Sequence, residues 1–213
     1  MDNLTIIIRN RNEAEYIGFA LQSICDFIPK AEVIIVDNNS TDDSLNVVGL
    51  FSDRLDIKII SIDRYTPGRS INLGVKEASK DYILILSAHC QITSINLDLI
   101  TKNLNRFKAV FGQQNPIYRG KKITKRYIWS HFNDKEQTNM FSEIENRLFF
   151  HNAFSFFKKE TLIDAPMPEK YSGKEDRYWA KDIVKKGSEY IYIPNIKVNH
   201  FYTGNGATWK GLG

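Results

Sequence analysis

Cysteine is scarce in this chain, with only Cys25 and Cys90 among 213 residues. Neither has a C-x-x-C partner, which excludes a zinc ribbon or dithiol framework and fits a reduced, cytosolic protein. Cys25 falls at helical spacing with Ile17, Leu21 and Ile24, so it reads as core. Long apolar runs are also missing. The longest, Tyr82-Ile83-Leu84-Ile85-Leu86, is far short of the roughly 20 residues a membrane span needs. No basic leader precedes Leu4-Thr5-Ile6-Ile7-Ile8, so that stretch reads as a first strand and not a signal peptide. Neither sign of charge dominates. The formal net charge is +4, too small to imply a nucleic-acid partner. There is no internal repeat and no low-complexity linker. One domain over residues 1–213 is therefore expected, long enough for a full core.

Aromatic residues are abundant, with 13 Phe, 10 Tyr and 3 Trp. Many belong in a core, and sugar-handling clefts use aromatic faces too. In the first half, strands and helices alternate. Leu4 to Ile8, Val33 to Val36, Ile57 to Ile62 and Tyr82 to Leu86 are apolar or β-branched strand runs. Between them, Asn12 with Glu15 suggests a capping box before the apolar spacing of Ile17, Ala20, Leu21, Ile24 and Ile28. Ser40 and Thr41 are expected to cap a second helix with Asp42 and Asp43 in its first turn, and Ser70 to Ser79 a third. This alternation predicts an open α/β sheet, mostly parallel, with right-handed crossovers. Ligands of such sheets lie beyond the carboxyl ends of the strands. Three polar segments follow strand ends and should gather there: Arg9 to Glu13, Asp37 to Asp43 and Ser87 to Cys90.

The second half is less regular. Ala109 to Gln114 and Ala153 to Phe157 read as strands, and Glu175 to Lys186 as a helix stopped by Gly187. Tyr190 to Val198 reads as an edge or broken strand, because Pro194 cannot donate to a ladder. Tyr127 to Asn152 takes no clear pattern. Glu175 and Asp176 are adjacent carboxylates opening a helix after Tyr171-Ser172-Gly173. Taken alone, such a pair is helix capping.

The strand running into Asp37-Asn38-Asn39-Ser40-Thr41-Asp42-Asp43, with the late Glu175-Asp176 pair, resembles the family-2 inverting glycosyltransferases of the GT-A fold. The resemblance covers residues 4 to about 201 and is weakest between 115 and 150. It implies a nucleotide-binding half over about 1–112 and a mixed acceptor-binding half over about 113–213. It also implies transfer of a sugar from a nucleotide-activated donor to a glycan or lipid-linked acceptor, in bacterial surface-polysaccharide assembly. By resemblance, Asp176 is the base and Glu175 its neighbour, with Arg177 on the acceptor side; Trp179 reads as core, or else as a floor for the acceptor sugar. Asp37 and Asn39 meet the nucleotide base; Arg9, Arg11 and Glu13 line the nucleotide, as does Arg69 in Thr66 to Gly74. Guanidinium suits diphosphate because it pairs bidentately.

One motif departs from the family. An Asp-x-Asp triplet that holds a divalent cation is expected after the fourth strand. Here Ser87-Ala88-His89 stands in that place. Imidazole suits manganese better than magnesium, so either His89 and His200 serve as ligands or no metal is used. Arg119 to Arg126 carries five cations in eight residues. The loop reads as solvated, or as docking on anionic phospholipid at the inner membrane face or on a lipid-pyrophosphate acceptor. The Gly204-Asn205-Gly206 tail is expected to close over the donor. The abrupt Trp209 to Gly213 ending suits a fragment of a larger enzyme. Two other readings compete. A sugar-nucleotidyltransferase needs a glycine-rich, lysine-bearing loop after its first strand, which Arg9 to Glu13 is not. A silent nucleotide- or glycan-binding module is favoured by the missing triplet and opposed by Glu175-Asp176.

Overall fold

The computed structural model describes residues 3–123, 127–204 and 206. In chain order its elements are β1 (Leu4–Asn10), α1 (Ile17–Phe27), β2 (Glu32–Asp37), α2 (Ser44–Gly49), β3 (Asp56–Ser61), α3 (Pro67–Glu77), β4 (Tyr82–Ser87), β5 (Cys90–Ser94), α4 (Leu97–Leu104), β6 (Ala109–Tyr118) and β7 (Lys121–Lys122). A 3-10 turn at Tyr127–His131 follows, then β8 (Gln137–Thr138), β9 (Phe141–Ser142), β10 (Arg147–Leu148), β11 (Phe154–Lys158), α5 (Lys159–Asp164), α6 (Glu175–Lys185) and β12 (Tyr190–Phe201).

The main sheet runs β3-β2-β1-β4-β11-β6-β12-β5. Its first four strands are mutually parallel. β11 is antiparallel to β4 and to β6, while β12 is parallel to β6. Alternate residues of each central strand feed two cores, because side chains alternate across a strand. Ile6, Ile8, Val33, Ile35, Leu84 and Leu86 face α1 and α4 through Leu21, Ile24 and Ile100. Ile7, Ile34, Val36, Ile83 and Ile85 face α3, α5 and α6 through Ile71, Leu162 and Trp179. Continuous apolar strands thus mark a sheet covered on both faces.

Several expected boundaries move. The Asn12–Glu15 capping box does not form; α1 begins at Ile17 behind Tyr16, without a side-chain cap. Asn12 takes φ 53° and its Oδ1 accepts the Thr41 N–H at 2.7 Å. Ser40 does not cap α2 either. Its hydroxyl donates to the Asp37 carboxylate at 2.6 Å, and α2 starts later, where Asp42 accepts the Ser44 N–H. α3 starts earlier than Ser70, with Thr66 accepting the Arg69 N–H and Pro67 in the first turn. Gly187 does end α6, at φ 79°, with Ser188 N–H closing back on Ile183 O. β12 is broken as expected but is not an edge strand. It lies between β6 and β5, and its register with β6 jumps from Ile193 to Lys197 around Pro194. Cys25 is partly buried against the core.

The break in β12 is accommodated by Gly112 of β6. A methyl there would meet the Phe154 ring at 2.5 Å and the Ile196 carbonyl oxygen at 2.7 Å. Gly112→Ala is therefore expected to cost about 1–3 kcal/mol, the usual range for overpacking. Urea unfolding checks it: the midpoint should fall at constant slope. An unmoved midpoint would mean that β12 yields freely at Pro194.

Candidate functional site

β1, β2 and β4 end side by side, with Arg9 opposite Val36 and Ser87 and Asn10 opposite Asp37. Beyond their carboxyl ends opens a cavity of about 400 Å³. The expected gathering of the three polar segments occurs there: Arg9, Asn10, Arg11 and Glu13 come from the first, Asn38 from the second, and Ser87, Ala88 and His89 from the third. The opposite wall is α6, entered through Ser172 and Gly173, with Glu175, Asp176 and Arg177 on the cavity. Gly173 at φ 82° makes the turn that aims this helix start at the strand ends.

Glu175 and Asp176 are held differently. Glu175 is 3 % exposed, and its Oε1 accepts from Arg9 Nη1 at 3.1 Å and Asn152 Nδ2 at 2.9 Å. Its Oε2 is buried without a partner. Asp176 is half-buried and bears no ion pair; it accepts the backbone N–H of Arg177 at 2.7 Å and of Asn152 at 3.4 Å. Burial first, and then the Asp176 charge, push the Glu175 carboxyl upward against the pull of Arg9. Burial likewise raises Asp176 against its two backbone donors. The two titrate as one dyad. Asp176 is the member with lone pairs left for a proton on the cavity side.

Other expected residues fall elsewhere. Arg9 is not available as a diphosphate clamp. Its Nη1 is spent on Glu175 and its Nη2 reaches Asn152 Oδ1 at 3.4 Å, at 14 % side-chain exposure. Arg11 is exposed at the cavity mouth. Asp37 lies behind the wall, 4 % exposed, with Asn10 Nδ2 at 2.8 Å and the Ser40 hydroxyl and N–H on its oxygens. Its neighbour Asn38 reaches the cavity, and Asn39 points to solvent at φ 51°. Arg69 is exposed on α3, outside the lining. Trp179 does not reach an acceptor: it is 2 % exposed in the core, and its indole N–H donates to Ala165 O at 2.8 Å.

The structure adds residues that carried no signal in the sequence. Arg147, Phe149, His151 and Asn152 form a wall from the segment that had no pattern. Gln114 sits behind them as a bridge, with Nε2 3.1 Å from His151 Nδ1 and Oε1 2.8 Å from His200 Nδ1. Burial lowers His151 to about 3 and His200 well below the usual imidazole range. Both rings are therefore neutral. The Gln114 amide donates to His151 and accepts from His200, which leaves His200 Nε2 as that ring's acceptor nitrogen.

A divalent cation finds few donors here. His89 and His200 rings stand 4.9 Å apart, and His89 Nδ1 is 3.3 Å from Glu13 Oε1. Glu13 Oε2 is buried without a partner. Among the described residues no three His, Cys, Asp or Glu side chains form a metal cage. The two imidazoles fit a cation only as a partial set, and one softer than magnesium. Also among the described residues, no helix is long and apolar enough to cross a membrane. Part of the basic segment is the hairpin turn Arg119-Gly120, with positive φ at both residues, leading into exposed Lys121 and Lys122. Thr124, Lys125 and Arg126 lie outside the described residues, as do Asn205 and Trp209 to Gly213. Gly206 lines the cavity.

Comparison with known proteins agrees with this architecture. The family model described as Glycosyl transferase family 2 matches residues 5–164. A Campylobacter jejuni protein named GalNAc(5)-diNAcBac-PP-undecaprenol beta-1,3-glucosyltransferase is 27 % identical over 198 residues, covering 90 % of this chain and 63 % of that protein. The Staphylococcus aureus poly(ribitol-phosphate) beta-N-acetylglucosaminyltransferase TarS is 30 % identical over 94 residues, covering 41 % of this chain and 16 % of TarS. The mannosyltransferase PcManGT of Pyrobaculum calidifontis, solved with GDP-Man and Mn2+, superposes with a TM-score of 0.72 at 21 % identity, over 98 % of this chain and 59 % of that one. This last likeness shows the fold, which is GT-A. The chain is thus shorter than each of these relatives.

The Arg9–Glu175 pair generates a test. Removing one partner of a buried pair typically costs about 3–5 kcal/mol. In Arg9→Gln, Glu175 keeps its burial and loses its counter-ion, so its folded pKa rises further above the unfolded value. A carboxyl raised on folding destabilises wherever the unfolded chain would ionise it, and the penalty grows with pH. The stability gap between wild type and Arg9→Gln should therefore be large at pH 8 and shrink towards pH 5 in thermal unfolding. A gap that is constant with pH would mean that Arg9 acts by packing alone.

Proposed function

The chain belongs to glycosyl transferase family 2, and from that premise we propose that it transfers a sugar from a nucleotide-activated donor, with inversion, to a glycan or lipid-linked acceptor of a bacterial surface. The observation that carries the reading is Asp176, a half-buried carboxylate in no direct ion pair, facing a cavity at the carboxyl ends of parallel strands. The nucleoside diphosphate lies over Arg11, Asn38 and the Ser87 to His89 loop. Asp37 positions Asn38 and does not itself touch the base. Asp176 takes the proton of the acceptor hydroxyl; that oxygen attacks the anomeric carbon while the diphosphate leaves from the opposite face. Glu175 and Arg9 hold Asp176 in place. The positive end of α6 favours the ionised base. In-line placement and electrostatic stabilisation of the leaving group supply the rest of the acceleration. The relatives' names support the acceptor class: one acts on poly(ribitol-phosphate), the other on an undecaprenol-linked glycan. Peripheral contact with an anionic membrane through Arg119, Lys121 and Lys122 would suit the second kind.

Asp176→Asn keeps the shape and removes the proton acceptor. Turnover should fall at least about a hundredfold, the low end for losing a general base, with donor affinity nearly unchanged. A base must be ionised, and burial raises this one. The acid limb of kcat/KM should accordingly lie above the ordinary Asp value near 3.9, and it should vanish in the variant. Near-normal turnover of Asp176→Asn would remove it as base; a larger loss in Glu175→Gln would transfer the role.

We propose further that Ser87-Ala88-His89 replaces the family's Asp-x-Asp triplet, which makes the enzyme less dependent on metal. A divalent cation, where bound, would neutralise the leaving diphosphate, and His89 and His200 would be the residues to hold it. Residual turnover after EDTA treatment is expected. Complete loss restored by micromolar manganese would overturn this, and His89→Ala should then abolish the restoration.

A further inference from the structure

At the base end of the cavity two guanidiniums converge from separate elements. Arg147 comes from β10, and Arg177 follows Asp176 on α6. Both line the cavity. They share one carboxylate: Glu145 lies 2.5 Å from Arg147 Nη2 and 3.5 Å from Arg177 Nη2. Side-chain exposures of 18 % and 22 % take both cations largely out of water. Asp176 forms no direct ion pair with either, its oxygens taking backbone N–H groups, although its charge lies close enough for Arg147 to act on it. The Arg147 Nε is buried without a partner, and its Nη1 is turned to its neighbour's carbonyl, Leu148 O at 2.9 Å. A buried donor left unmade is costly unless a ligand satisfies it. Two forks fixed by one acid, one of them a donor short, make a receptor for a tetrahedral oxyanion, since guanidinium pairs bidentately with phosphate.

We infer that this end of the cavity selects an acceptor bearing a phosphate close to the hydroxyl that is glycosylated, with Arg147 and Arg177 binding that phosphate and Glu145 fixing both. The inference rests on the glycosyltransferase reading and names the substrate class of its acceptor side. The phosphate could belong to a soluble polyol phosphate or to a lipid diphosphate; the shared chemistry is the same.

The test is binding to the full chain by calorimetry, with UDP saturating. The probes are sn-glycerol 3-phosphate, glycerol and geranyl diphosphate. At least one phosphate probe should bind ten times more tightly than glycerol, and more weakly at high salt. The tighter of the two phosphates tells polyol from lipid. Arg177→Gln, on the cavity rim, and Arg147→Gln should each weaken it about tenfold and leave UDP affinity within twofold. Arg147→Lys, which keeps the charge and loses the fork, should fall between. Equal binding of glycerol and both phosphates would overturn the inference. So would phosphate binding that UDP abolishes, or affinity unchanged in Arg177→Gln. If UDP itself does not bind, the glycosyltransferase reading fails, and phosphate affinity of the nucleotide-free wild type against both variants still decides this site.

Discussion

The Arg9–Glu175 ion pair, 3.1 Å long and nearly sealed from water, joins the end of β1 to the first turn of α6. Its partners are 166 residues apart. Asn152 closes the triangle from just before β11, donating to Glu175 and accepting from Arg9. Each corner is a different part of the chain, so this wall of the cavity forms only when the parallel half, the antiparallel β11 and α6 are all in place. The pair is poor value as stability, because desolvation of both ions offsets their attraction. What it gives is placement. With Glu175 anchored, the next residue on the helix is forced to face the cavity, and that residue is Asp176.

This geometry explains which parts of the site were legible in the sequence. Apolar strands fed by alternate residues into two cores announce themselves as continuous β-branched runs, so β1, β2 and β4 and the place of their polar loops could be read directly. Asp176 could be read because a helix start is a local signal. Residues 147–152 could not. They reach the site because β11 runs antiparallel to β4, pairing Phe154 with Leu86, which brings the beginning of β11 to the carboxyl edge. Strand direction depends on pairing and leaves no mark in Phe154-Ser155-Phe156-Phe157. The same geometry decides the positions of Trp179 and Asp37. Trp179 shares a helical face with Asp176, but only the first turn of α6 meets the cavity, so one turn further that face is core. Asp37 ends its strand one residue too soon, and Asn38, itself buried, is the one that lines the cavity.

The buried histidines raise a separate question of charge. His151 and His200 are tied through Gln114, and burial keeps both neutral. A neutral imidazole cannot neutralise a leaving diphosphate by charge; it can only donate a hydrogen bond or coordinate. For the proposed transfer, that separates two ways of stabilising the leaving group. If the rings coordinate, His200 is already arranged for it, since its Nδ1–H is committed to Gln114 Oε1 and the opposite nitrogen carries the lone pair. If they do not, the positive charge must come from side chains near the strand ends. There Arg9 is already paired with Glu175, while Arg11 lies at the mouth and α6 turns its positive end to the cavity. The proposed replacement of a carboxylate triplet in the β4 loop is then coherent. Without a cation to balance, an Asp-x-Asp triplet would place two anions beside a diphosphate; under the proposed reaction Ser87-Ala88-His89 carries no carboxylate to add to that repulsion.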